Sequence, residues 1–359
     1  MSPAFSVYLE GVRVFATLLV FVAHGLALYQ PFTAWAGEAH LGRDGVVVFF
    51  VLSGYVISWC ASRKEPSPLD FAVHRAARIY SVAIPAIALG ATVSLVMWST
   101  GSLTQPEYPL LKPWLYLPVY LGFLGNHWHL VEAPPQNFPY WSLNFEVWYY
   151  IIFGLAFYLR RPWGWLMSVL AMALAGPEIL LLMPLWLLGS LLYFRGMASP
   201  WPPVWARAML LLTALLYLVT KVLKLDDLID RGSPAVFALV WPSSRSPTQL
   251  LGDYWIGLIV ALHLAAAARA SLRVDARFAR LLRWMAARSF STYLYHIPLF
   301  TLFGLVLSDR DSAWHYIGVM LAALVSIDLL SRVTEQRKDA WRRAFTWMAR
   351  PWRGTARHA

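Results

Sequence analysis

Charge is scarce in this chain of 359 residues: Asp, Glu, Lys and Arg make up 14% of it, against 59% hydrophobic residues. That imbalance excludes an ordinary soluble domain. Cysteine is nearly absent too. Cys60 is the single one, which rules out an intrachain disulfide, and its place in an apolar run marks it as a packing residue. There is no Gly-rich phosphate loop, no His-Glu-x-x-His and no cysteine cluster, so no metal site is expected. His127 and His129 in GNHWH are taken as surface histidines of a loop. The first apolar segment lacks a small-residue cleavage site after it and keeps Glu10, Arg13 and His24, so it is expected to remain as a span.

What the chain has in abundance is apolar runs of span length. In lipid every backbone polar group needs an internal partner, and runs this uniformly apolar do not alternate as barrel strands do, so helices remain. The expected fold is an all-α polytopic membrane helix bundle of about ten transmembrane helices. The spans fall near 9–29, 44–61, 79–98, 141–159, 163–176, 178–194, 205–223, 250–269, 289–307 and 314–334. The run 163–176 is short, and 114–124, broken by Pro118, is too short to cross and is placed in or on the outer face. With the amino terminus inside, 23 of the 30 Lys and Arg residues fall on one side, which makes both termini cytoplasmic. The net charge of +11 then belongs to one face, suited to anionic lipid or a polyanionic cosubstrate, and nucleic acid is not needed to explain it. Residues 1–336 read as one membrane domain. Residues 337–359 read as a basic amphipathic cytoplasmic tail, with Trp341, Phe345, Met348 and Trp352 at helical spacing among arginines.

Ionisable groups inside spans are costly and mark function. Arg13 and His24 lie eleven positions apart, which returns to within about 20° of one helical face and separates them by about 16 Å in depth. Glu146, five residues past Trp141, falls at a depth close to that of His24, and the two can pair. A carboxylate on one imidazole nitrogen raises the basicity of the other, as a general base requires. Structural readings remain open: Arg13 snorkelling to the surface, and the His24–Glu146 contact as a bundle staple. In FAVHRAARIY, Arg75 and Arg78 share a helical face where guanidinium forks suit phosphate, although topology alone places Arg there. Glycine and serine in FFVLSGY, residues 49–55, permit close helix approach.

Taken in order, these pieces resemble the acyltransferase 3 family of integral-membrane acyltransferases. The first span resembles the opening motif, with ten residues between Arg13 and His24. VFFVLSGYVIS (48–58) resembles the second-span signature, Arg75-x-x-Arg78 the cytoplasmic Arg pair, and WSLNFEVWYY (141–150) the Trp-Ser-Leu-x-x-Glu block. SFSTYLYHIPLF (289–300) and VTEQRKDAWRR (333–343) resemble the late segment and the ending. Glu10 stands where many members carry Asp, and Val47 where many carry an acidic residue, so no acidic role transfers there.

The resemblance implies O-acyl transfer, commonly of acetyl, from cytoplasmic acyl-CoA to a hydroxyl of a cell-envelope or exported glycan or lipid-linked sugar. It implies a multi-pass protein of the bacterial inner (plasma) membrane. Acyl-CoA enters as cosubstrate, with no cofactor tightly bound. On this reading Arg75 and Arg78 hold the coenzyme A phosphates, Arg13 guides the pantetheine arm, and His24 oriented by Glu146 is the general base. Ser142, Asn144 and Tyr149 are oxyanion or substrate candidates, and His296 lines the cavity. Apolar outer faces meet lipid or a second copy in a homo-oligomer equally well. The competing reading is a proton-coupled transporter or flippase for a sugar, lipid or acyl compound, with His24 and Glu146 as relay; repeated halves and paired broken helices, which transporters favour, are not apparent.

Overall fold

The computed structural model describes residues 1–29, 40–195, 202–240 and 249–353. Among them the regular structure is helical throughout, without strands. The principal helices are α1 (Pro3–Leu28), α2 (Leu41–Arg63), α3 (Pro68–Ser99), α4 (Pro113–Leu121), α5 (Trp141–Tyr158), α6 (Trp163–Ala175) and α7 (Pro177–Phe194). They continue as α8 (Pro203–Val222), α9 (Leu250–Ala267), α10 (Ala276–Ala286), α11 (Ser289–Gly304), α12 (Ala313–Val333) and α13 (Lys338–Met348). The starts are written locally. Ser2 and Ser67 each accept a backbone N–H through the side chain, from Phe5 and Asp70, and each is followed by proline at the first helical position.

Seven described helices are long and apolar enough to cross a membrane: α1, α2, α3, α7, α8, α9, and α12 taken with the residues that follow to Met348. Three further expected spans correspond to α5, α6 and α11. α6 has 13 residues and α11 has 16, while α5 has 18 but carries Asn144, Glu146 and four Trp or Tyr side chains besides its terminal Tyr158. The third expected span, 79–98, is part of a helix that begins at Pro68, so Arg75 and Arg78 belong to one continuous rod with it. α4 has nine residues, and Trp114 at its start is 72% exposed. In the tail, α13 lies against α3, where Phe345 meets the ring of Tyr80; residues 354–359 lie outside the described part.

α11 runs through the centre. From Ser291 to Phe300 every residue is buried, as expected of a helix whose neighbours surround it. α2 is the other interior helix. At Gly54 a Cβ would fall 1.9 Å from the carbonyl oxygen of Trp186, and at Gly189 a Cβ would fall 1.8 Å from that of Val51. α2 and α7 therefore meet backbone to backbone, which in lipid, where helix association relies on van der Waals contact, requires glycine on both sides. On its other flank α2 meets α1 at Gly45, where a Cβ would lie 2.7 Å from the Ala16 oxygen.

Candidate active site

Five helices line a narrow cleft of about 60 Å³. α1 supplies Arg13, α3 Arg78, α5 Ser142, Glu146 and Tyr150, and α11 Ser289 and Tyr293. α2 lines the wall from Val46 to Ile57 and contributes Ser53 near its middle. Sequence spacing explains the convergence on α5, because residues four apart fall on one helical face. Glu146 accepts from the Ser53 hydroxyl at 2.6 Å and from Tyr150, and Trp186 Nε1 donates to Ser53 at 3.3 Å. One carboxylate thus shares the cleft with two guanidiniums. Among the described residues no ion pair ties up Arg13 or Arg78, unlike Arg75.

Arg75 turns away, and the expected phosphate-binding pair separates. Its guanidinium bonds Glu65 Oε1 at 2.5 Å, His74 Nδ1 reaches the same oxygen at 3.0 Å, and Tyr158 donates to the Glu65 backbone carbonyl at 2.7 Å. Three residues along a helix turn the side chain by about 60°, enough to send Arg78 into the cleft and Arg75 to a carboxylate of the preceding loop.

His24 and Glu146 do not pair. The expected pairing rested on depth, which says nothing of direction around the helix axis, and Glu146 is taken by Ser53 and Tyr150. His24 meets His296 instead: its Nδ1 lies 2.7 Å from His296 Nε2, with the rings parallel to within 3°. His296 is wholly buried, and its Nδ1 lies 3.0 Å from the Thr292 carbonyl one turn back on α11. Phe138, just before α5, stands edge-on to the His24 ring at 5.0 Å, and Gly42 of α2 lies close by, where a Cβ would come to 3.5 Å from His24 Nε2. Neither histidine lines the cleft. Tyr293 joins the two places: it forms part of the cleft wall, its hydroxyl bonds that of Ser142 at 2.5 Å, and its ring lies 6.2 Å from His296.

Two oxyanion candidates fall elsewhere. Tyr149 is fully buried and donates to the Ile179 carbonyl at 2.8 Å, and Asn144 Nδ2 donates to Asn126 Oδ1 at 2.7 Å. Ser142 alone of the three faces the cleft. His127 is not a surface residue: both ring nitrogens are buried, the ring packs on Trp148 at 4.6 Å, and burial pushes its imidazole below the ordinary range. No group of three or more His, Cys, Asp or Glu suited to a metal occurs among the described residues. Tyr150 and Tyr293 were not singled out by sequence reasoning, and Ser53 only as a small residue that permits close helix approach. The signal for the two tyrosines was helical spacing from residues that were, Tyr150 four beyond Glu146 and Tyr293 three before His296.

A family model described as an acyltransferase domain matches residues 6–332, nearly the whole chain. The chain belongs to the acyltransferase 3 family. Among curated relatives in or near that family, the chain is 30% identical over 191 residues to the acyltransferase MdmB of Streptomyces mycarofaciens, covering 48% of this chain and 46% of that one. It is 28% identical over 201 residues to the O-acetyl transferase of Shigella phage Sf6, covering 51% and 59%. It is 29% identical over 126 residues to the exopolysaccharide production protein ExoZ of Rhizobium meliloti, covering 34% and 37%. The matched stretches thus span 37% to 59% of the length of these relatives. No solved structure matches. Within this acyltransferase 3 chain, Arg13, Arg78, Glu146 and Ser142 share one cleft, and His24 and His296 form a pair beside it.

Proposed function

We propose that this protein is an integral-membrane O-acyltransferase that moves an acyl group, acetyl in the first instance, from cytoplasmic acyl-CoA to a hydroxyl of a cell-envelope or exported glycan or lipid-linked sugar. The observation that carries the proposal is the pairing of a cleft holding two cations without ion partners with a histidine whose Nε2 has no hydrogen-bond partner among the described residues. The names of the relatives support the reaction class, since one is an O-acetyl transferase and another takes part in exopolysaccharide production.

Arg13 and Arg78 suit the anionic donor, for which guanidinium forks are the better ligands. Glu146 offsets part of their charge and orders Ser53 and Tyr150. The donor's thioester reaches His24 once the Tyr293–Ser142 contact gives way. His24 Nε2 then takes the proton of the acceptor hydroxyl as its oxygen attacks the thioester carbonyl. The C–S bond breaks, and the same proton passes from Nε2 to the departing thiolate, so the enzyme ends as it began. Ser142, freed from Tyr293, is placed to donate to the carbonyl oxygen.

The test is transfer of radiolabelled acetyl from acetyl-CoA in purified, lipid-reconstituted protein, with mixed envelope glycans as acceptor. Wild type is expected to label glycan, and His24→Ala to lose at least about a hundredfold in rate with normal expression. Equal labelling by both would overturn the role of His24. Movement of a sugar or lipid across the bilayer without acyl-CoA would overturn the enzyme in favour of a transporter.

A further inference from the structure

The two imidazoles leave little freedom in where their protons sit. The Thr292 carbonyl can only accept, so the hydrogen between it and His296 Nδ1 belongs to the ring. A neutral imidazole carries one N–H, so His296 Nε2 is bare and must accept. Its partner at 2.7 Å, His24 Nδ1, must therefore donate. With its one hydrogen spent there, His24 presents Nε2 as a lone pair, toward the space beside Gly42 and the edge of Phe138. Protonation of both rings, one of them wholly buried, would set two N–H groups head to head, so the neutral pair is the stable one.

We infer that His296 is a positioning residue for the base: held by the Thr292 carbonyl, it fixes His24 in the tautomer whose Nε2 accepts a proton, the place that Glu146 was expected to fill. This rests on the acyl-transfer reading above. The pair does the work of the orienting acid in a catalytic triad without a charge. When Nε2 takes the acceptor's proton, the Nδ1–H bond to His296 becomes charge-assisted and strengthens as the reaction needs it. The contacts around His296 agree with a fixed ring. Phe21, Tyr293 and Phe300 surround it with centroids at 6.2, 6.2 and 5.6 Å, leaving the ring no second orientation that keeps both bonds.

Two measurements on the full reconstituted chain test the inference. Nitrogen NMR of ¹⁵N-histidine protein, with His24 assigned by loss of its signals in His24→Gln, is expected to show Nδ1 protonated and Nε2 bare in wild type; the opposite tautomer would overturn the inference. In the acetyl-CoA transfer assay, His296→Leu, which cannot accept, is expected to lower kcat about a hundredfold with KM for acetyl-CoA unchanged. His296→Gln, whose carbonyl can accept from Nδ1, should restore most of that loss. Unaltered kcat in the leucine variant, or equal loss in both variants with the Nδ1–H tautomer absent, would sink it. Should His296→Leu fail to fold, the glutamine variant and the wild-type spectrum still decide. The two readings fail separately: activity in His24→Ala would remove the base itself, whereas inactive His24→Ala beside fully active His296→Leu would remove only the pairing.

Discussion

α2 carries two clusters of charge, and they are built on opposite plans. At its start, Arg43 forks onto Asp253 of α9 with contacts of 2.6 and 3.0 Å while its guanidinium lies over the Trp141 ring at 4.9 Å. Next to it Asp44 holds Lys221 of α8 at 2.7 Å and accepts from Tyr217 at 2.8 Å, and Lys221 also bonds Asp226. Each acid there has a cation or a hydroxyl. Some three turns on, at Ser53, Arg13 and Arg78 face a cleft with only Glu146 in it, already bonded to Ser53 and Tyr150. Burying a charge without a partner is expensive, so a bundle that holds every cation of one cluster in an ion pair and leaves two guanidiniums without one in the other, among the described residues, has room for an anion in the second. The first cluster holds helices together, and on the proposed reading the second receives the anionic donor.

The contrast can be broken at either end. Lys221→Met leaves Asp44 buried without its cation and should cost the most, about 3–5 kcal/mol of stability in denaturant or thermal unfolding, with kcat per folded molecule unchanged. A fall in kcat without loss of stability would join that cluster to the reaction. Arg78→Ala should do the reverse. It is expected to raise KM for acetyl-CoA by about ten- to a hundredfold, as for loss of charged hydrogen bonds of about 1.5–3 kcal/mol, at little cost in stability. Arg75→Ala sharpens the distinction, for it strands the buried Glu65 carboxylate and should lower stability more than donor affinity. The smallest effect is expected from Tyr149→Phe, about 1 kcal/mol of stability through its bond to Ile179 and none on turnover. A large loss of kcat there would return that hydroxyl to the oxyanion role.

The bundle was legible because membrane spans are a statement about composition and length, and both are printed in the chain. Of the site, the residue types were legible and the pairings were not. Arg13, Arg78, Glu146 and Ser142 do share a cleft. His24 was assigned a partner by depth alone, yet two helices at one depth can face apart, and which faces meet depends on packing that no single segment encodes. Part of the error was avoidable. On α5, positions 142, 146 and 150 repeat every four residues, whereas Asn144 lies about 200° from Ser142, so a helical wheel already separates the residue that faces the cleft from the one that binds Asn126. The neutral partner His296 was visible only as an intramembrane histidine, since its link to His24 spans 272 positions of chain.

The seam at Gly54 and Gly189 has a mechanical consequence. Where two backbones touch with no side chain between them, neither helix can roll or slide past the other without collision. Ser53, adjacent to that seam and tied to Trp186 across it, is a fixed datum in the cleft wall. On the proposed reading, an opening that admits a donor comes from walls other than α2, among them the faces of α5 and α11 joined by the Ser142–Tyr293 contact, so that α2 and α7 serve as the anvil of the cleft.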